Sequence, residues 1–107
     1  MDYQIIDCED APQEILSWLE ENYDKEDFIV TSTELNTFVL IARGEVCTGG
    51  HHIEIISLEE LPEKLLFKIK YSKPVSGEVV IQVITYPSTI IQLPKTDKVI
   101  NIEIIKD

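Results

Sequence analysis

One short segment, "EVCTGGHHIEI" at residues 45–55, holds the residue types that carry out metal and thiol chemistry. Cys47 supplies a thiol, and His51 and His52 supply imidazole nitrogens a few positions later. A zinc site needs three or four such ligands that converge on one point. A cysteine nucleophile needs a neighbouring base and a group that orients that base. Two hypotheses follow: a small metal- or thiol-dependent site that uses Cys47, His51 and His52, or a turn that leads into a strand.

The alternation of side chains along a strand separates the two histidines. Successive side chains of a strand point to opposite faces, so His51 shares a face with Ile53 and Ile55, whereas His52 shares one with Glu54. Two imidazoles on opposite faces cannot easily bind the same metal ion. We therefore predict no metal ligands, no cofactor and no catalytic residues here, and a domain that is not an enzyme.

The glycines of this segment favour a structural turn at Thr48, Gly49 and Gly50. Glycine adopts a positive φ, or allows a close approach of the backbone, at little steric cost. The chain is then expected to enter a strand at His51, with the imidazole on the apolar side. The turn is the preferred interpretation of the segment.

The charge of the chain is concentrated at one end. Residues 1–34 hold 11 acidic residues and one basic residue, whereas residues 35–107 hold nine acidic and eight basic residues. Binding to nucleic acid requires clustered Lys and Arg and is therefore disfavoured, so we predict no nucleic acid partner. The acidic third is either a solvated face or a docking surface for a basic partner.

Cysteine content and the first residues bear on the compartment. Cys8 and Cys47 are the only cysteines, and two buried free thiols are favoured over one disulfide. The start "MDYQIIDCED" lacks the basic and apolar regions of a signal peptide, and no apolar run approaches the ~20 residues of a membrane span. We expect a cytoplasmic protein from the sequence as given, and an exported one if a targeting segment has been removed.

The start of the chain is predicted to form a short first strand, "YQIID", followed by one helix. "DAPQEILSWLEENY" offers Asp10 as the cap, Pro12 in the first turn and Gln13 to complete a capping box. An apolar stripe follows at helical spacing, and the helix is expected to end near Asn22 or Tyr23. The stripe comprises Ile15, Leu16, Leu19 and Tyr23, with Trp18 beside them.

From Phe28 onward the period changes to two. Seven segments rich in Ile, Val, Thr and aromatic residues are predicted to be strands: "FIVTS", "TFVLIAR", "HIEIISL", "LLFKIKY", "VVIQVITY", "TIIQL" and "VINIEII". Short connections favour antiparallel pairing. The predicted fold is α+β, with one N-terminal helix and a mainly antiparallel sheet curled into a sandwich or partial barrel. Residues 1–107 are expected to form a single domain.

Two of these segments carry a family resemblance. "TGG" at residues 48–50 followed by "IEI" at 53–55, and "VVIQVITYPSTIIQLPK" at 79–95, resemble the signature of the PrcB C-terminal domain family. The resemblance covers residues 38–95, and the run from Gln82 to Pro87 is its most specific part. His51 and Ser88 stand where the family has aromatic residues, so an aromatic contact at position 88 is not carried over. The acidic residues 1–27 lie outside the resemblance.

The resemblance implies a function as well as a fold. The family takes its name from a subunit of a protease complex, in which such a protein associates with and stabilises a proteolytic partner. It therefore implies a non-catalytic protein-interaction or assembly domain that has a protein partner, such as a protease. Neither the oligomeric state nor the identity of the partner follows from it.

The "QVITYPSTIIQLP" segment also has a physical logic of its own. Pro87 has no amide hydrogen for a ladder and must lie at a strand boundary, a bulge or an edge. Tyr86 precedes it in an extended conformation. We select Gln82, Tyr86 and Pro87 as candidate partner contacts, with Gln92 on the same exposed strip. The alternative is that these residues only shape a corner of the sheet.

Two functional classes therefore remain, together with a weaker third. The first is the protein-interaction domain, and the second is the metal- or thiol-dependent domain built on Cys47, His51 and His52. A ligand-binding β-domain would require an exposed aromatic platform, and most of the seven aromatic residues belong to apolar stripes.

We predict that the purified protein binds no stoichiometric zinc and that His52→Ala leaves its thermal stability nearly unchanged. The reason is that His51 and His52 point to opposite faces. Elemental analysis of the wild type and the variant is the measurement. One metal ion per chain that disappears in His52→Ala would contradict the prediction.

Overall fold

A computed structural model describes residues 2–46, 51–72 and 84–105 of the 107-residue chain. These residues form one α-helix, one short 3-10 helix and seven strands. In chain order the elements are β1 (Gln4–Ile6), the 3-10 helix (Cys8–Asp10), α1 (Gln13–Asn22), β2 (Asp27–Ser32), β3 (Asn36–Ala42), β4 (His52–Glu60), β5 (Lys64–Ser72), β6 (Ser88–Pro94) and β7 (Val99–Ile105). Within the described ranges, no helix has the length and apolarity required to cross a membrane.

The helix begins differently from the prediction, and the capping box is wrong. Asp10 ends the 3-10 helix, and Pro12 occupies the cap position of α1 in an extended conformation without any side-chain cap. The Pro12 carbonyl accepts the first helical hydrogen bond, from the Ile15 amide at 3.0 Å. The Gln13 amide group instead donates to the Ser17 hydroxyl at 3.2 Å. Proline fixes φ near its helical value, so it can start a helix where no side chain caps it. The predicted end at Asn22 is confirmed.

The strands form two sheets, with the orders β1-β6-β3-β2 and β4-β5-β7. Every pair of neighbouring strands is antiparallel except β5 and β7. The chain leaves β5, passes through β6 in the other sheet and returns to β7 in its original direction, which makes that pair parallel. The predicted mainly antiparallel fold with one helix is confirmed, and the sheets do not close into a barrel.

One apolar cluster joins the two sheets. Its four members from β5 alternate as predicted, while Lys68 and Lys70 lie on the opposite face and are half-buried. Val39 and Ile41 of β3 belong to the same cluster. The full set of buried members is Val39, Ile41, Leu65, Phe67, Ile69, Tyr71, Ile91, Leu93 and Ile100.

A second apolar cluster lies between α1 and the outer face of the first sheet. Ile15 of the helix is buried with Phe38 and Leu40 of β3 and Ile90 of β6, and Trp18 packs against this group. Because β3 supplies both clusters, it is the central strand that the sequence predicted, with six buried residues in a row.

The last position predicted for the helical stripe behaves differently. Tyr23 follows the end of α1 and remains 46% exposed. Its ring packs against Tyr86 and is not among the residues of either core cluster. Tyr23, predicted to be the last member of the apolar stripe, therefore lies just beyond the helix and packs against another loop residue.

Candidate functional site

The histidine segment does not assemble a site within the described residues. β4 begins at His52, which is exposed like Glu54, whereas His51, Ile53 and Ile55 are half-buried. This is the predicted division between two faces. Among the side chains that the structure describes in residues 2–46, 51–72 and 84–105, which do not include Cys8, no three of His, Cys, Asp or Glu lie close enough to hold a metal ion. Cys47 and the predicted turn at 48–50 lie outside those ranges, so the thiol hypothesis stays untested.

The segment around Tyr86 lies where several elements meet. Thr85 and Val46 exchange two backbone hydrogen bonds, at 2.9 and 3.0 Å, in an isolated antiparallel bridge. The Arg43 amide donates to the Pro87 carbonyl at 2.9 Å. Pro87 immediately precedes β6, the position that its missing amide hydrogen requires. β6 lies between β1 and β3, so Pro87 begins an inner strand and not an edge strand.

The side chain of Tyr86 is held from two directions. Its ring meets Tyr23 edge to face, with centroids 4.8 Å apart and an interplanar angle of 85°. Its hydroxyl donates to Glu45 Oε1 at 3.4 Å. Tyr86 nevertheless keeps 38% of its surface exposed, and nearby Ile84 keeps 54%. We call Tyr23, Glu45, Ile84 and Tyr86 the Tyr86 surface.

Close packing between the backbone at Gly44 and the backbone of residues 24–26 supports this surface. Gly44 has a φ of +89°, and a Cβ atom there would lie 3.2 Å from the Glu26 amide nitrogen. Only glycine adopts this conformation without strain and fits this close to the neighbouring chain. Gly44 therefore brings the loop after β3 against the turn that leads from α1 into β2.

Arg43 reinforces the same junction. Its guanidinium lies 4.6 Å from the centroid of the Tyr71 ring, in a cation–π arrangement. Its Nη1 atom is 3.9 Å from Glu26 Oε1, in a pair that is partly exposed and hence weak on its own. The Tyr86 surface is thereby joined to the core tyrosine, Tyr71.

Two phenols at this junction have perturbed acidity. Partial desolvation raises the pKa of Tyr86 above its usual value, and the negative charge of Glu45 adds to the effect. Burial also raises the pKa of Tyr71, helped by Glu26 and opposed by Arg43. Both hydroxyls are protonated at neutral pH and do not act as bases there.

The predicted partner contacts that the structure describes do not lie together on one exposed strip. Tyr86 and Pro87 lie together at the junction, Gln82 lies outside the described residues, and Gln92 is half-buried on the inner strand β6. Sequence reasoning missed Tyr23, Arg43 and Glu45 as their neighbours. It also missed Gly44. A glycine that follows an apolar strand and a single arginine is a signal for a turn, and that signal was available in the sequence.

We predict that Gly44→Ala destabilises the protein by about 1–3 kcal/mol, because a Cβ atom strains the positive φ and crowds the Glu26 amide. Urea denaturation measures the loss, and Ser88→Ala at an exposed strand end is the control. The near-UV circular dichroism of the Tyr23–Tyr86 pair should weaken in the same variant. Equal denaturation midpoints for the two variants would show that the loop relaxes without cost.

We predict that Tyr71→Phe flattens the loss of stability above pH 10. Since the pKa of Tyr71 is raised in the folded protein, both states are protonated below the unfolded value of about 10. As the pH rises further the unfolded state loses its proton first, so the free energy of unfolding falls. Denaturation at pH 8 to 11 measures the slope, and lysines that titrate in that range are common to both proteins. Identical slopes would contradict the assignment.

Comparison with known proteins identifies one matching family, and the match covers most of the region described above. The family model described as PrcB C-terminal matches residues 37–94, just over half of the chain, from β3 to the end of β6. No curated protein and no solved structure matches the chain significantly. The match includes Gly44, Glu45, Ile84 and Tyr86 and leaves α1 and Tyr23 outside. This chain belongs to the PrcB C-terminal family.

Proposed function

We propose that this chain is a non-catalytic protein-interaction domain that binds and stabilises a protease partner. Membership of the PrcB C-terminal family supports an association with a protease complex. The Tyr86 surface, which lies mainly within the matched residues, is the proposed contact.

The observation that carries the proposal is the exposure of apolar and aromatic side chains that are already held in place. Tyr23, Ile84 and Tyr86 keep 46%, 54% and 38% of their surfaces exposed. The edge-to-face contact and the bond to Glu45 fix the Tyr86 ring before any partner arrives. A fixed side chain loses little entropy on binding, and buried tyrosines frequently dominate interface energies.

The polar side chains at the junction are paired with one another. Glu45 accepts from Tyr86, and Arg43 lies between Glu26 and the Tyr71 ring. Tyrosine is protonated at neutral pH at its ordinary pKa, and the shifts of Tyr71 and Tyr86 are upward, whereas a catalytic base requires a pKa near the working pH. These features support an ordered binding surface over a reactive one.

The scaffold for this surface is, we infer, a sandwich of two facing sheets. One apolar cluster draws its members from both sheets, and α1 covers the outer face of the first sheet. A rigid two-layer support holds the loops at the end of β3 in a fixed arrangement.

The end of α1, within the acidic N-terminal third, leads directly into Tyr23 of this surface and suits electrostatic steering. Glu20 and Glu21 are exposed on α1, and Asp24 lies in the turn that follows. Charges placed at the rim of an interface mainly raise the association rate and lose this effect as salt increases. A partner with a basic docking region is the one that these charges favour.

The test begins with chemical crosslinking and affinity purification of the partner. With that partner, we predict that Tyr86→Ala raises the dissociation rate about tenfold or more, as loss of a hot-spot aromatic does. Replacing Glu20 and Glu21 by Gln should slow association at low salt only. Surface plasmon resonance measures both rates.

The matched control is Leu35→Ala. Leu35 is 80% exposed in the turn between β2 and β3, at the opposite end of that hairpin from Arg43, and its loss should change neither rate. Recovery of no proteolytic partner would contradict the protease assignment. Unchanged rates in the Tyr86 and glutamate variants would exclude this surface as the contact.

A further inference from the structure

One lateral side of the molecule leaves the apolar core partly open. The first sheet has four described strands and the second has three, and β2 and β7 form edges of the two sheets. A cleft lies between these two edges, and its apolar lining consists of Phe28, Ile41, Tyr71, Ile102 and Ile104. Among the described strands the second sheet has one fewer than the first, and the cleft lies where the first sheet extends beyond the second.

Two partly exposed side chains at this cleft, those of Phe28 and Ile104, lie on the core-facing sides of their sheets, as the cross-strand register shows. Phe28 is paired with Ile41, and Ile104 with Ile69. Directly paired residues share a face of the sheet, and both partners are buried in the shared core. Phe28 and Ile104 are nevertheless 39% and 37% exposed. An additional strand beside β7 would cover them.

Among the sheet edges in the described part of the chain, β7 is the least protected. It pairs with β5 on one side, and its sequence "VINIEII" contains one charge and no proline. The opposite edge, β4, carries three glutamates and a bulge, and both features hinder strand addition. β1 has only three residues, and β2 is tied to α1 by the bond from Thr31 to Glu14.

We propose that the outer edge of β7, which pairs with no other strand of the described ranges, binds an extended segment of the partner protein, which adds antiparallel as the fourth strand of the second sheet. This rests on the proposed function, since it requires a protein partner, and it specifies how that partner is recognised. The backbone of the added strand pairs with β7, and its alternate apolar side chains fill the cleft against Phe28 and Ile104.

The charges at the mouth of the cleft specify one further feature of the partner. Glu26 and Asp27 border the cleft beside Ile104, close to the carboxyl end of β7. Arg43 offsets part of the charge of Glu26, while the Asp27 carboxylate accepts from the Phe28 amide and remains exposed. The amino end of an antiparallel strand lies opposite the carboxyl end of β7. A Lys or Arg at the amino end of the partner segment therefore complements this mouth.

A second copy of this chain is a poorer occupant than another protein. It carries the same net charge of −11, so the two copies repel each other. The base at the amino end of its own β7 is Lys98, which already donates to Glu60 at 2.9 Å and to the Leu61 carbonyl at 3.0 Å. Using Lys98 at the cleft would require breaking both bonds.

The test uses the full chain and two immobilised peptides. The first is Lys-Thr-Val-Thr-Ile-Thr-Val-Thr, which places Lys, Val, Ile and Val on one face of a strand. The second has Glu in place of the Lys. We expect binding to the Lys peptide to be about tenfold tighter at low salt, as complementary charge predicts. The bound Lys peptide should slow amide hydrogen exchange in β7.

Substitutions at the cleft and on a distant edge locate the binding. Ile104→Lys and Phe28→Ala should each abolish or strongly weaken retention by the Lys peptide, with circular dichroism melts verifying that the variants fold. Ile5→Lys is the matched control, because Ile5 is 62% exposed on the edge strand β1 of the first sheet. Tyr86→Ala should leave peptide binding intact.

Several outcomes would overturn the inference. Equal binding of the two peptides, undiminished binding by both cleft variants, or exchange protection outside β7 would each do so. Self-association of the wild type that Ile104→Lys abolishes would identify a second copy as the occupant and overturn the choice of partner. If the natural partner binds Ile104→Lys and Phe28→Ala normally but binds Tyr86→Ala weakly, this inference fails while the proposed function stands.

Discussion

The burial of β3 on both faces is the constraint on which the rest of the structure depends. Val39 and Ile41 contribute to the core shared by the two sheets, whereas Phe38 and Leu40 contribute to the cluster under α1. A strand that is apolar on both sides must be covered on both sides. One side is covered by β5 and β7 and the other by the helix, and the order of layers follows from that requirement.

The candidate site is a consequence of how β3 ends. After Ala42 the chain leaves the core, and Gly44 lets it turn against the residues that follow α1. The Arg43 amide fixes Pro87, and the bridge between Val46 and Thr85 aligns the segment that carries Tyr86. Residues far apart in the sequence thus meet at one end of the central strand.

The Tyr86 surface and the lateral cleft adjoin each other through three residues. Tyr71 lines the cleft and lies beneath Arg43, and Arg43 pairs with Glu26 at the mouth of the cleft. A partner that adds a strand to β7 would therefore also lie close to the Tyr86 surface. Under both proposals, apolar contact, backbone pairing and acidic steering would act on the same side of the domain.

The sequence by itself determined the family, the helix and all seven described strands within a few residues, because period and residue type are local properties. The alternation of Leu65, Phe67, Ile69 and Tyr71 predicted the inner face of β5, and the apolar run of β3 predicted its central place. The strand predicted at residues 79–86 lies mostly outside the described residues.

Only the tertiary structure decided which distant residues meet. It assigned the positive φ to Gly44, joined Tyr23 to Tyr86 and made β7 parallel to β5. These outcomes depend on how the two sheets and the helix pack together, and the pairing of residues distant in sequence leaves no periodic trace along the chain.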